Sequence, residues 1–317
     1  MSDAKLQRTL LRFNAKITSG EYYEAHQTLR TITNRYVKSK QYSDAIALLY
    51  QGSSILSNKK EYASASDLIT YLIQVYEEAN IKIESSSDIN KIKLIELINL
   101  LPDTDPSLPD LSKQAINWSK TNDNKFGDCN LHHVFGVKFL NSIKLSPLSE
   151  DEKYKLFNFA ELHLILGTYE SLPVYINFLW DWYKQSSKDV KDPGILLSRA
   201  IINYSYLKNI KFVKESLNIF MKNLVQYNTN YESSDGLYFY QEYQLINFLQ
   251  LLVITLNKET TSGEKFLKLY QQYKAVLTQY ELNASIEYLG RFYFNLNLGS
   301  SSAGVNPLAS LMGGLFK

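Results

Sequence analysis

Four histidines and a single cysteine are the side chains of this 317-residue chain best suited to hold a metal or relay a proton. Three of the five crowd into KFGDCNLHHVFG, as Cys129, His132 and His133. On a helix Cys129 and His133 share a face at i, i+4, where two ligands of a zinc site could begin. Tetrahedral zinc takes three or four ligands, and no second Cys/His pair stands nearby in sequence. The stretch reads better as a helix start with Asp128 as N-cap, its carboxylate accepting the first free backbone N–H groups. Gly-rich phosphate loops, Walker patterns, GxSxG elbows and HExxH pairs are absent. LWDWY (179–183) offers an aromatic pair. At helical spacing Trp180 and Trp182 point in different directions, so core packing accounts for them better than a flat binding face.

The stretch GEYYEAHQTLRTITNRYV (20–37) carries chemistry of another kind. Tyr22, Ala25, Leu29, Ile32 and Tyr36 fall on one helical stripe. If that stripe is buried, Leu29→Ala costs about 2–5 kcal/mol. Tyr23 and Arg30 lie well off it. His26 sits on its edge, either as a satisfied boundary histidine or as part of an interface.

The elements that carry these residues follow from composition and period. Hydrophobic residues make up 45% of the chain, which excludes a disordered chain, and only 13 Gly and 7 Pro occur, which favours long helices over turn-rich β structure. Tyr22, Tyr42 and Tyr62 each stand three residues before an alanine (Ala25, Ala45, Ala65). One helix about every 20 residues, and one hairpin about every 40, is the mark of a helical solenoid. Start signals recur as Ser149 with Glu152, Thr261 with Glu264, and Asp192 before Pro193. Cutting at such signals predicts roughly thirteen to fifteen helices. The fold class is therefore all-α, an α-solenoid of TPR-like helical hairpins. NYESSDGLYFYQEY (230–243) breaks the pattern. Its Asp-Gly between aromatic runs predicts a small β-hairpin inserted between two helices and packed on the body or a partner. LPDTDPSLPDLS (101–112) carries Pro102, Pro106 and Pro109. It suggests N-terminal repeats over 1–101, a Pro-rich linker over 102–112 within a continuous solenoid, and C-terminal repeats over 113–298. The tail 299–317 ends in Leu308, Leu311, Met312, Leu315 and Phe316 and reads as a frayed terminus or a short docking element.

Charge is uneven although the total is +2, which leaves no nucleic-acid footprint. Residues 1–40 hold eight Lys/Arg against three acids, and residues 61–110 hold ten acids against three Lys. Such blocks are either an unevenly charged solvated surface or patches that steer and orient a partner. The opening MSDAKLQRTLLRFNAK lacks a signal-peptide run, and Leu245–Leu256 is too short for a span of about 20 residues. One cysteine suits a reducing compartment. Together these predict a soluble, cytoplasmic protein.

YYEAHQTLRTITNRYV, followed by SKQYSDAIALL, resembles the N-terminal repeats of the Golgi-to-ER traffic protein 4 family, the fourth subunit of the GET pathway (guided entry of tail-anchored proteins). The likeness continues in order through DLITYLIQVYEEA, Asn117–Ser119, Lys125–Asp128, LWDW, NFLQLLVIT (247–255) and LMGGLFK, and is closest to fungal members. The stretches around 85–115 and 141–150 depart from the family pattern. The resemblance implies an α-solenoid scaffold with no enzymatic activity and no cofactor. It implies that the N-terminal helices dock the pathway's targeting ATPase, a P-loop dimer. Arg12, Lys16, Tyr23, His26, Arg30 and Arg35 would hold an acidic surface, and Asp67, Glu77 and Glu78 would touch the other ATPase subunit and restrain hydrolysis. The C-terminal half would hold a ubiquitin-like-domain subunit with help from the hairpin, at Tyr231, Leu237, Tyr238, Phe239 and Tyr240. That subunit recruits the upstream co-chaperone carrying the tail-anchored client.

Two other readings compete. A solenoid from a proteasome-lid-like or peptide-binding assembly would bring a winged-helix pattern or a regular carboxylate clamp, and neither stands in the sequence. A helical-repeat prenyltransferase subunit would need a catalytic partner chain and a different Trp/Pro signature.

Overall fold

The computed structural model describes residues 2–85, 87–186, 191–258 and 263–298. Thr261 and the tail 299–317, singled out above, lie outside the described residues. The described residues form fourteen helices and one two-stranded antiparallel sheet, so the chain is all-α with a single inserted β-hairpin. It divides into two compact units, residues 1–167 and 168–317.

The first unit contains α1 (Ser2–Thr18), α2 (Tyr22–Lys38), α3 (Tyr42–Asn58), α4 (Tyr62–Glu78), α5 (Ile89–Leu100), α6 (Leu108–Ser119), α7 (Cys129–Leu145) and α8 (Glu150–Ile165). The first four are each 17 residues long, and three residues join each to the next. That is the origin of the 20-residue period. The joining turn is the same each time. Its middle residue, Gly20, Lys40 or Lys60, adopts a left-handed φ of 79°, 59° or 63°. The residue after it, Glu21, Gln41 or Glu61, donates its N–H to the carbonyl of Lys16, Tyr36 or Leu56 at 2.9 Å, the long bond of a Schellman motif. Its own carbonyl accepts from the N–H of Ala25, Ala45 or Ala65, so one residue closes a helix and opens the next. Those alanines are fully buried, and Tyr22, Tyr42 and Tyr62 are half-buried beside them.

Alternate helices share a layer: α2 lies against α4 and α4 against α6, while α1 lies against α3, α3 against α5 and α5 against α7. A Cβ on Gly52 of α3 would come within 2.5 Å of Leu29 and 3.3 Å of Leu68, so this glycine is what lets the leucines of α2 and α4 settle onto α3. The buried band of α2 runs through Ala25, His26, Leu29, Thr33, Tyr36 and Val37, while Tyr22 and Ile32 are half-buried. It is turned from the stripe read in the sequence because α4 covers α2 as well as α1 and α3 do.

Side chains fix the later helix starts. Asp88 accepts from the N–H of Asn90 and Lys91 at the head of α5, and Ser149 with Glu152 forms the expected capping box at α8. The proline stretch 102–112 is held to α7, with Lys138 donating to Leu101 O at 2.7 Å and Asp103 at 2.8 Å. Its last residues already belong to α6.

The second unit contains α9 (Ser171–Ser186), α10 (Gly194–Tyr206), α11 (Ile210–Tyr227), β1 (Glu232–Ser234), β2 (Leu237–Phe239), α12 (Gln244–Asn257), α13 (Gly263–Gln279) and α14 (Asn283–Phe294). Asp192 is buried and serves two helices at once. One carboxylate oxygen accepts from Gly194 N at 2.8 Å and the other from Leu245 N at 2.7 Å, so the N-termini of α10 and α12 are tied to one residue. Trp180 is buried against Tyr183, Phe220 and Tyr227, as core packing predicts, and Trp182 is half-buried against Phe178. No helix among the described residues is long and apolar enough to cross a membrane.

Candidate docking site

The sequence cluster is split: His132 is in the core beside His163, His133 is half-buried and Cys129 is exposed. Asp128 caps α7, accepting from the N–H of Asn130 and Leu131. His132 Nε2 lies 3.0 Å from Phe126 O, and a carbonyl only accepts, so Nε2 carries the proton. His132 Nδ1 is then an acceptor for His163 Nδ1 at 2.9 Å. His163 is fully buried beside Phe135 and Phe139, and its Nε2 has no partner. Burial holds both imidazoles neutral, His132 lowered to about 4 and His163 well below the ordinary histidine range. No three His, Cys, Asp or Glu among the described residues are placed to hold one metal ion.

The flank of α2 is a surface. Tyr23, His26 and Arg30 stand at i, i+3 and i+7, which places them along one side of the helix. Tyr23 is 73% exposed and Arg30 is half-exposed, while His26 between them is buried. Beside this ridge α4 presents Asp67 and Tyr71. His26 Nε2 donates to Asp67 Oδ2 at 2.7 Å, and the Arg30 guanidinium donates to the same oxygen. Arg30 also lies 5.2 Å from the centre of the Tyr71 ring, within cation–π range. Two groups that the sequence reading assigned to separate roles are therefore one cluster. The other candidates spread around it. Glu78 follows on the Asp67 side of α4 and accepts from the Tyr42 hydroxyl at 3.4 Å, and Glu77 is exposed. Arg35 is exposed but turned about 140° around α2 from Arg30, so the two do not share a line. Arg12 is exposed on α1. Lys16 donates to Glu21 at 3.1 Å and Glu24 at 2.5 Å. The Glu24 and Glu21 hydrogen bonds raise the Lys16 ammonium, and the Lys16 bond in turn lowers the Glu24 carboxyl.

The hairpin in the second unit is built as the Asp-Gly signal requires. Asp235 and Gly236 both have positive φ, 52° and 78°, the type I′ arrangement that matches strand twist. Glu232 pairs with Phe239, Ser233 with Tyr238 and Ser234 with Leu237. The outer edge of β2 is closed by two amides of α12 that act as a third strand. Gln250 accepts from Tyr238 N at 3.0 Å and donates to Tyr238 O at 2.7 Å. Asn247 does the same for Tyr240, at 3.0 and 2.7 Å. Tyr240 is buried, its hydroxyl donating to Asn228 O, so it anchors the hairpin. Tyr231, Leu237, Tyr238 and Phe239 are half-buried, and Tyr231 packs edge-on against Tyr238 with ring centres 5.0 Å apart. The sequence reading missed Asn228, Asn247 and Gln250. The signal for the last two was an i, i+3 amide pair inside the otherwise apolar NFLQLLVIT.

The chain has extensive relatives. A family model described as Golgi to ER traffic protein 4 matches residues 39–316. The chain is 30% identical to Golgi to ER traffic protein 4 of Schizosaccharomyces pombe, covering 99% of this chain and 95% of that protein. It is 28% identical to the Aspergillus fumigatus protein of the same name, covering 98% and 90%. The human homolog is 25% identical, covering 97% and 87%. A crystal structure of C. therm. Get4 superposes with a TM-score of 0.79 at 26% identity, over 99% of this chain and 96% of that one. The helical-hairpin architecture, the inserted β-hairpin and these matches along almost the whole length lead to one assignment: the chain belongs to the Golgi to ER traffic protein 4 family.

Proposed function

We propose that this protein is a non-enzymatic cytoplasmic scaffold of the GET pathway, which brings an upstream co-chaperone and its tail-anchored client to the targeting ATPase. The ridge of α2 and α4 docks the ATPase dimer through Tyr23, His26 and Arg30, with Arg12, Lys16 and Arg35 adding positive charge around it. Asp67, Glu77 and Glu78 lie toward the second ATPase subunit and restrain ATP hydrolysis. The second unit holds the ubiquitin-like-domain subunit beside the hairpin, at Tyr231, Leu237, Tyr238 and Phe239, with Tyr240 as the anchor beneath. The observation that carries this reading is an aromatic residue 73% exposed, Tyr23, in line with a half-exposed charged cluster on two helices braced against each other. Exposed Tyr and Arg next to a fixed scaffold are what interface anchors are made of.

The test is binding of the purified ATPase with ATP, at low and moderate salt, together with its hydrolysis rate. Arg30→Glu is expected to weaken binding by about tenfold without unfolding the protein, since the side chain is half-exposed. Wild-type affinity in this variant would remove Arg30 from the docking surface.

A further inference from the structure

We propose that Asp67 is an internal competitor on the docking ridge: braced by the buried His26, it occupies Arg30 in the free chain, and a carboxylate of the docked partner takes Arg30 over. This rests on the reading of the ridge as the ATPase-docking surface and adds how that surface is regulated. Both donors converge on a single oxygen of Asp67, and Oδ1 accepts no hydrogen bond among the described residues. Guanidinium and carboxylate match best as a fork, through two parallel bonds. Sharing Oδ2 with His26 leaves Arg30 with less than that match, and an incoming carboxylate can supply it. The exchange is open to solvent, because the Arg30 and Asp67 side chains are 42% and 40% exposed. A pair this exposed is weakly held. The Tyr71 ring keeps the guanidinium at the surface while its anion changes. Asp67 thereby sets a threshold: only a carboxylate placed to meet Arg30 squarely displaces it.

The experiment compares full-length wild type, Asp67→Asn, Arg30→Gln and the double variant, each checked for an unchanged melting temperature, by calorimetric titration with the purified ATPase. The expected result at low salt is that Arg30→Gln weakens binding and Asp67→Asn tightens it by about two- to fivefold. The gain should vanish when Arg30→Gln is also present and shrink at high salt. If Arg30→Gln weakens binding while Asp67→Asn leaves it equal or weaker, Asp67 is a brace or a direct contact, and the competitor idea falls while docking at the ridge stands. Unchanged binding by Arg30→Gln, or none by the wild type, overturns the docking reading and this inference together.

Discussion

Leu29 and Arg30 are neighbours in sequence with opposite fates. Leu29 is fully buried where Gly52 brings α3 close to α2. Replacing it with alanine leaves a cavity that two helices in contact cannot close, and Leu29→Ala is expected to cost about 2–5 kcal/mol. The measurement is a lower urea midpoint at unchanged slope; a loss under about 0.5 kcal/mol would mean the site had collapsed to fill itself. The helical period alone was enough to place Leu29 inside. It was also enough to place Arg30 off that stripe, but not to name its partner. Asp67 lies 37 residues further along on another helix, and nothing local in either segment points to the other. Only the 40-residue hairpin period hints that residues so separated share a layer. The sequence leaves His26 between a satisfied boundary histidine and an interface residue, and the structure shows the first: it is buried and hydrogen-bonded to Asp67.

At the scale of elements, helices were legible and their joints were not. Low glycine, the Ser149–Glu152 cap signal and the Tyr-x-x-Ala recurrence predict the helices closely, because each depends on residues within one or two turns. The left-handed turns were hidden, since two of the three use lysine where glycine would be easier. The hairpin was legible from Asp235-Gly236, but its attachment was not, because it depends on side chains of the following helix. Gln250 is 2% exposed, and its amide satisfies both backbone groups of Tyr238. Gln250→Ala leaves those groups unpaired at a cost of about 1–3 kcal/mol. The expected result is weaker capture of the proposed ubiquitin-like-domain partner with helix content unchanged by circular dichroism. Undiminished capture would mean that α11 and the aromatic contacts of Tyr240 hold the hairpin by themselves.

Taken as a whole, the molecule has buried titratable groups of opposite sense in its two units. In the first, burial lowers His132 to about 4, below the unfolded value near 6.5. As pH falls from 6.5 toward 4 the unfolded chain gains protons that the folded unit refuses, and stability drops by about 1.4 kcal/mol per pH unit for such a group. In the second, burial raises Asp192 to about 6 although the N–H groups of Leu245, Gly194 and Ile246 pull it down. The folded unit therefore takes that proton first, and the stability it gains is lost again as pH rises through 6. Pulse proteolysis at pH 7 and pH 5, with fragments assigned to residues 1–167 and 168–317, is expected to show the first unit becoming the more readily cut at the lower pH. An equal response from both would count against these two groups as the main contributors. The 17-plus-3 build of α1–α4 also bears on heredity. A substitution leaves that count intact, whereas one codon inserted or deleted inside α3, between Arg30 and Asp67, turns the rest of that helix by about 100° and shifts Asp67 out of register with Arg30 and His26. Between Arg30 and Asp67 the length of the chain is therefore expected to vary less than its letters, and the gap positions in an alignment of relatives would check it.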